Sequence, residues 1–217
     1  MLSRYSQRLP SLPKEYTESE HGYIIGSDEV GYGALAGPLV VAACAVPRGW
    51  SLEGLQDSKK YTSEDARKKV AEAIHEDPEV FTCIQWLSPA EASLAPGQAL
   101  AQGHKQALNG CLVQVEGTCL LVVDGNIELS LFAPYLKVPK ADQLVPAVSA
   151  ASVIAKVARD EAMRRLHETY PVYGFDKHKG YGTKAHYAAL MEHGQCPEHR
   201  ESYLRSFKAA LTEESGK

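Results

Sequence analysis

The sequence predicts an α/β fold, a mixed sheet flanked by helices. Three observations carry this expectation. Apolar runs of strand length, YIIGSDE (23–29), LVVAACAV (39–46) and EVFTCIQWLS (79–88), crowd the first part of the chain. TCLLVVDG (118–125) is a continuous apolar strand of the kind a parallel sheet buries on both faces. From there strand and helix patterns alternate, which lays helices against the sheet.

Taken in order, residues 1–20 are polar and read as a poorly ordered lead-in. The first two strands are joined by VGYGALAGP, too long for a two-residue hairpin but suited to a wider antiparallel turn. In SLEGLQDSKKYTSEDARKKVAEAIHE a loop becomes a helix. Thr62 with Asp65 fits a capping box there, and Ala66, Val70, Ala73 and Ile74 form an apolar stripe. Residues 98–115 are helical, with Ala99, Leu100, Ala107, Leu108 and Leu112 available to bury. A short helix is expected near 129–135, a long one over roughly 145–169 and a last one over 184–193. Residues 21–195 form one domain in this partition, and 196–217 an appendage that packs back on it.

Composition narrows the class. At 217 residues, 44% hydrophobic and 23% charged, the chain can bury one sizeable core. No stretch approaches the roughly 18 apolar residues of a membrane span, and the N-terminus lacks an apolar signal region. The five cysteines form no C-x-x-C pair and most lie in apolar runs, so reduced thiols and a cytoplasmic location are expected. The net charge of −4 is uneven. Residues 1–136 carry −7 and residues 137–217 carry +3, which permits a basic working face in the second half.

Four acids stand out. Asp28 and Glu29 end the first strand, Asp124 ends the fourth in VVDGN, and Asp142 precedes the long helix in KADQLVP. Singly, such residues are ordinarily turn or cap residues. Jointly they carry more. In an open α/β sheet the carboxyl ends of neighbouring strands line one crevice, so adjacency of strands one and four would unite Asp28 with Asp124. Two like charges ~4 Å apart repel by about 4 kcal/mol at an effective dielectric near 20, so such a cluster asks for protons or cations. Oxygen donors without nearby His or Cys select Mg²⁺ or Mn²⁺ over Zn²⁺. A pair of such ions is an arrangement for phosphodiester hydrolysis. Neighbouring strand residues point to opposite faces, so Asp28 and Glu29 can share an ion only if the strand ends or bulges there.

The glycine loop is not the dinucleotide fingerprint, because its spacing is G-x-G-x-x-x-G and a strand follows. It lacks G-K-[ST] and so is no phosphate loop. What remains is bare backbone at Gly31 and Gly33, able to meet a sugar hydroxyl irrespective of base. A second loop, GFDKHKGYGTKAH (174–186), interleaves cations with aromatics, which suits phosphate contact and stacking. DSKKY (57–61) offers a further cationic patch.

Five segments, DEVGYGALAGPLVVAACAV, DSKK, VVDGN, AVSAASVIAKVARD and YPVYGFDKHKGYGT, resemble in order and separation the ribonuclease HII (type 2 ribonuclease H) family. The likeness runs over about residues 22–207 and takes in HRESYLRSF. It implies an RNase H-like fold with a mixed five-stranded sheet, flanking helices and a C-terminal helical appendage. It implies a metal-dependent endoribonuclease that hydrolyses the RNA strand of RNA/DNA hybrids. Cleavage on the 5′ side of ribonucleotides embedded in duplex DNA is also implied, leaving 3′-hydroxyl and 5′-phosphate ends. Asp28, Glu29, Asp124 and Asp142 match the four metal-binding, catalytic carboxylates, with two Mg²⁺ or Mn²⁺ ions as cofactors. Gly31 and Gly33 match the outer positions of the loop contacting the 2′-OH, with Tyr32 between them. Tyr181 matches a tyrosine stacking on the junction sugar, and Ser58, Lys59 and Lys179 fall in motifs that contact backbone. The expected partners are the two nucleic acids, without a membrane and with the protein as a monomer.

The chain departs from the family pattern twice. The loop is usually Gly-Arg-Gly and here has Tyr32 at its centre, and EASLAPGQALAQGHKQAL (91–108) lacks the family's isoleucine- and asparagine-containing helix opening. Two other readings stay open on the residues. One is a metal-dependent nuclease of this fold with relaxed 2′-OH dependence; the other is a hybrid-binding protein with weakened catalysis.

Overall fold

The computed structural model describes residues 12–17, 20–56, 58 and 61–205. Five strands form one sheet in the order β3-β2-β1-β4-β5. Strand β1 (Tyr23–Val30) pairs antiparallel with β2 (Leu39–Pro47), which pairs antiparallel with β3 (Phe81–Leu87). On its other side β1 runs parallel to β4 (Cys119–Asp124), and β4 parallel to β5 (Tyr135–Val138). The sheet is therefore mixed, with the change of sense at β1.

Alternation along the strands builds two cores. Ile24, Val40 and Val122 face α2 (Glu64–Glu76) and α5 (Pro146–Thr169). Ile25, Val41 and Val123 face α4 (Pro96–Leu112). The small residues in PAVSAASVIA bring α5 down onto β1. The approach is close enough that a Cβ on Gly26 would lie 2.4 Å from the Val148 nitrogen. A third cluster, with Leu35, Met163, Phe175 and Leu204, ties the glycine loop to α5, to the short α6 (Phe175–His178) and to the chain after α7 (Lys184–His193).

Several expectations need correction. No helix forms over 129–135; Pro134 favours extended backbone before it, and the next four residues pair with the free edge of β4 as β5. The Tyr135 hydroxyl pins the preceding loop, accepting from the Leu129 N–H at 2.6 Å. The cap of α2 is Ser63, whose side chain accepts from the Ala66 N–H, rather than Thr62. A reciprocal capping box does occur at Ser88 and Glu91, where it starts α3 (Pro89–Leu94), a helix the periodicity did not reveal. In the lead-in, Lys14–Thr17 forms a helical turn (α1), and Leu12 and Tyr16 pack on the core. Residues 1–11 and 18–19 lie outside the described residues, as do 206–217 of the appendage. Its described part packs inward, with a 3₁₀ turn at Glu201–Leu204. All five cysteines are free thiols, and burial pushes Cys111 up to about 12. No described helix is long and apolar enough to cross a membrane.

Candidate active site

Parallel pairing sets the carboxyl ends of β1 and β4 side by side, with Ser27 opposite Val123 and the two aspartates following. Asp28 leaves on the α5 face and is buried. Its Oδ1 accepts the Glu29 N–H at 2.8 Å, and its carboxylate also accepts from the Ser152 hydroxyl on α5. Ser152 is backed by Ser58, with their hydroxyl oxygens 2.9 Å apart. Burial first, then the Glu29 carboxylate and more weakly Asp124, holds the Asp28 carboxyl well above the usual range.

The register of β1 against β2 is unbroken through Val30, so Glu29 leaves on the opposite face. There it meets α4, where the His104 Nε2 lies 3.3 Å from its Oε2. Asp124 Oδ1 accepts the Ala141 N–H at 2.6 Å. Asp142, the next residue, is buried in the 3₁₀ turn Ala141–Gln143. It lines a separate depression with Gln56 and Ser149. The structure thus brings Asp28, Glu29 and Asp124 within electrostatic reach, and the turn that binds Asp124 carries Asp142. Among the described residues, no three His, Cys, Asp or Glu side chains gather closely enough to enclose an ion. The all-oxygen donors and the raised Asp28 nevertheless suit a hard cation completed by phosphate and water oxygens.

The glycine loop is held from behind by two fully buried guanidiniums. Arg200 donates to the carbonyls of Gly31 at 2.7 Å, Tyr32 at 2.9 Å and Gly37 at 2.9 Å. Arg159 donates to Pro38 at 2.9 Å, Lys179 at 2.9 Å and Ala36 at 3.2 Å. Each arginine cross-links chain segments by carbonyl acceptance. Desolvation lowers both, Arg200 to about 10. The two outer glycines differ in kind. Gly31 has φ +93°, and a Cβ there would lie 2.0 Å from Arg159 Nε. Gly33 has open space where a Cβ would be, so packing does not require its bareness.

A cleft of about 320 Å³ joins these parts. Its floor holds Asp28, Glu29, Ser58 and Ser152; its rim holds residues 31–33, Lys156 and Tyr181. Tyr32 and Tyr181 are exposed, and the Arg159 guanidinium lies 5.3 Å from the Tyr181 ring centre. Lys179 is not on this lining. It is buried, with its ammonium 3.2 Å from Glu64 Oε1, and it contributes its carbonyl to Arg159. Lys59 lies outside the described residues.

The ribonuclease HII family model matches residues 25–210. The chain belongs to the ribonuclease HII family. Ribonuclease HII of Chlamydia trachomatis serovar A is 43% identical over 187 residues, covering 85% of this chain and 84% of that one. The crystal structure of ribonuclease H2 from Pyrococcus horikoshii OT3 superposes with a TM-score of 0.69 at 22% identity, over 88% of this chain and 99% of that one. The structure of Bst-RNase HIII in complex with Mn²⁺ gives 0.68 at 25% identity, over 90% and 71%. The chain is accordingly an endoribonuclease of the ribonuclease H type, with the mixed five-stranded sheet of that fold.

Sequence reasoning did not single out Ser152, Lys156, Arg159, Arg200 or His104. The first four stand in AVSAASVIAKVARD and HRESYLRSF, segments that carried the family likeness without individual assignments. A polar residue every third or fourth position in an otherwise small and apolar helix was the available signal for Ser152, Lys156 and Arg159. His104 lies in the departing segment 91–108, and a lone histidine in an amphipathic pattern gives no signal.

Proposed function

We propose that this endoribonuclease hydrolyses the RNA strand of RNA/DNA hybrids and cuts 5′ to ribonucleotides embedded in duplex DNA. The products carry 3′-hydroxyl and 5′-phosphate ends. The observation that supports it best is Asp28, a buried carboxylate held against the like charges of Glu29 and Asp124 on the floor of a glycine-rimmed cleft. Asp28, Glu29, Asp124 and Asp142 would hold two Mg²⁺ or Mn²⁺ ions. When bound, these supply the charge that activates a water and neutralises the leaving 3′-oxygen.

The protein's own groups do the rest. Arg159 and Arg200 engage the carbonyls around the loop and so fix the backbone at 31–33 for contact with the 2′-hydroxyl. Tyr181 offers its ring to the junction sugar, steadied by Arg159 behind it. Ser152 and Ser58 orient the Asp28 carboxylate.

Asp124→Asn should abolish cleavage of a labelled hybrid while leaving hybrid binding largely intact; near-normal turnover would remove the carboxylate assignment. An all-DNA duplex compared with the same duplex carrying one ribonucleotide tests the 2′-OH requirement, and equal cleavage would sink it. Both substrates should be run with Mg²⁺ and with Mn²⁺.

A further inference from the structure

Adjacent residues in a regular strand cannot be supported by one helix. Asp28 has Ser152 from α5. Glu29, on the other face, needs its own support, and α4 supplies a single candidate on this face, His104. The imidazole is completely buried, although it lies in the apolar layer formed with Ile25, Val41 and Leu108. Both ring nitrogens are used on β1: Nδ1 is 2.9 Å from Ser27 Oγ, and Nε2 is 3.3 Å from Glu29 Oε2. A carboxylate only accepts, so Nε2–H is the donor to Glu29. The helix is pressed to the sheet at this point by Gly103, where a Cβ would fall 2.7 Å from Val41 Cγ2. Burying a polar ring here is costly unless its bonds are useful or satisfied, and both of its bonds run to the strand end that carries the acids.

We propose that His104 is a positioning residue: it occupies one oxygen of Glu29 and fixes the carboxylate's rotamer, so that the other oxygen faces the cleft. This rests on the reading of Glu29 given under Proposed function. The inference assigns a role to the segment 91–108, where the chain departs from its family pattern.

The test combines His104→Leu, which fills the space without a donor, His104→Gln, which restores an N–H, and Glu29→Gln. Titration calorimetry with Mn²⁺ alone and steady-state cleavage of a hybrid are the readouts. His104→Leu should lower kcat by about tenfold or more, as expected for losing a hydrogen bond to a charged group, with KM for the hybrid nearly unchanged. Its Mn²⁺ affinity should fall, and His104→Gln should recover most of both. In the Glu29→Gln background, His104→Leu should leave Mn²⁺ affinity where it was. An equal loss of affinity in that background, or a Gln variant no better than Leu, overturns the inference and makes His104 a packing residue. If Glu29→Gln alone retains full kcat and Mn²⁺ affinity, the assignment of Glu29 itself fails, and positioning by His104 falls with it.

Discussion

Gly33 offers a separation of folding from function that Gly31 does not. A Cβ at position 33 meets no atom within 4 Å, and this glycine is not among those with positive φ. The fold should therefore accept Gly33→Ala without strain. Restricting the unfolded chain should even stabilise it by about 0.4–1 kcal/mol, a rise in Tm of about 1–4 °C for a chain of this size. The added methyl would stand on the rim of the cleft, where under the proposed function the ribose approaches the backbone. Loss of one hydrogen bond with its partner left buried costs about 1–3 kcal/mol, or about 5- to 160-fold in kcat/KM. Gly31→Ala is the contrast, because its Cβ would collide with Arg159 Nε at 2.0 Å and its φ of +93° is unfavourable for alanine. That variant should lose stability and activity together. The assay pairs thermal unfolding with cleavage of a duplex carrying one ribonucleotide, at substrate below KM. A Gly33→Ala enzyme with full kcat/KM and an unchanged fold would show that no substrate atom approaches this backbone. One that unfolds early would show that the open space is not there.

Two further outcomes are expected. His186 donates from Nδ1 to the Tyr181 carbonyl at 3.0 Å and accepts at Nε2, 3.0 Å away, from His199, whose Nδ1 accepts the Cys196 N–H. Burial above all pushes His186 down to about 4. Its contribution is complete above the ordinary value near 6.5 and is lost as pH falls toward 4, because the unfolded chain then takes a proton that the native state refuses. The loss amounts to about 2–3 kcal/mol, so urea unfolding at pH 7 and pH 4 should show a smaller drop for His186→Gln than for the parent; parallel drops would contradict the assignment. Tyr32→Arg adds a charged donor beside the loop and should improve cleavage at a lone ribonucleotide more than at a long RNA stretch, by up to about 1.5–3 kcal/mol; an unchanged ratio would take position 32 out of the junction contact.

The strands and the long helices were legible because their burial is periodic: the runs at 23–29, 39–46 and 118–125 became β1, β2 and β4, and 145–169 became α5. The glycine loop and the two strand-end aspartates were legible from residue type and position, but the adjacency of β1 and β4 that unites them was only a condition in the sequence and is supplied by the sheet. Strand β5 was not, since four residues after a proline acquire strand character only from the edge they pair with. The capping serine at 63 differed from the one expected by a single residue, a margin that local propensity does not resolve. Lys179 looked like a surface cation in a basic loop; Glu64, 115 positions earlier, turns it inward.

The sequence by itself named the candidates: which acids, which glycines, which aromatics, and on which elements they stand. Tertiary structure alone decided how they are held. Alternation sends Asp28 and Glu29 to opposite faces, so two different helices must reach them, and the guanidiniums of Arg159 and Arg200 find loop carbonyls more than a hundred residues away. Such long-range satisfaction of buried polar groups depends on where the chain returns in space, and no local pattern in the sequence encodes that.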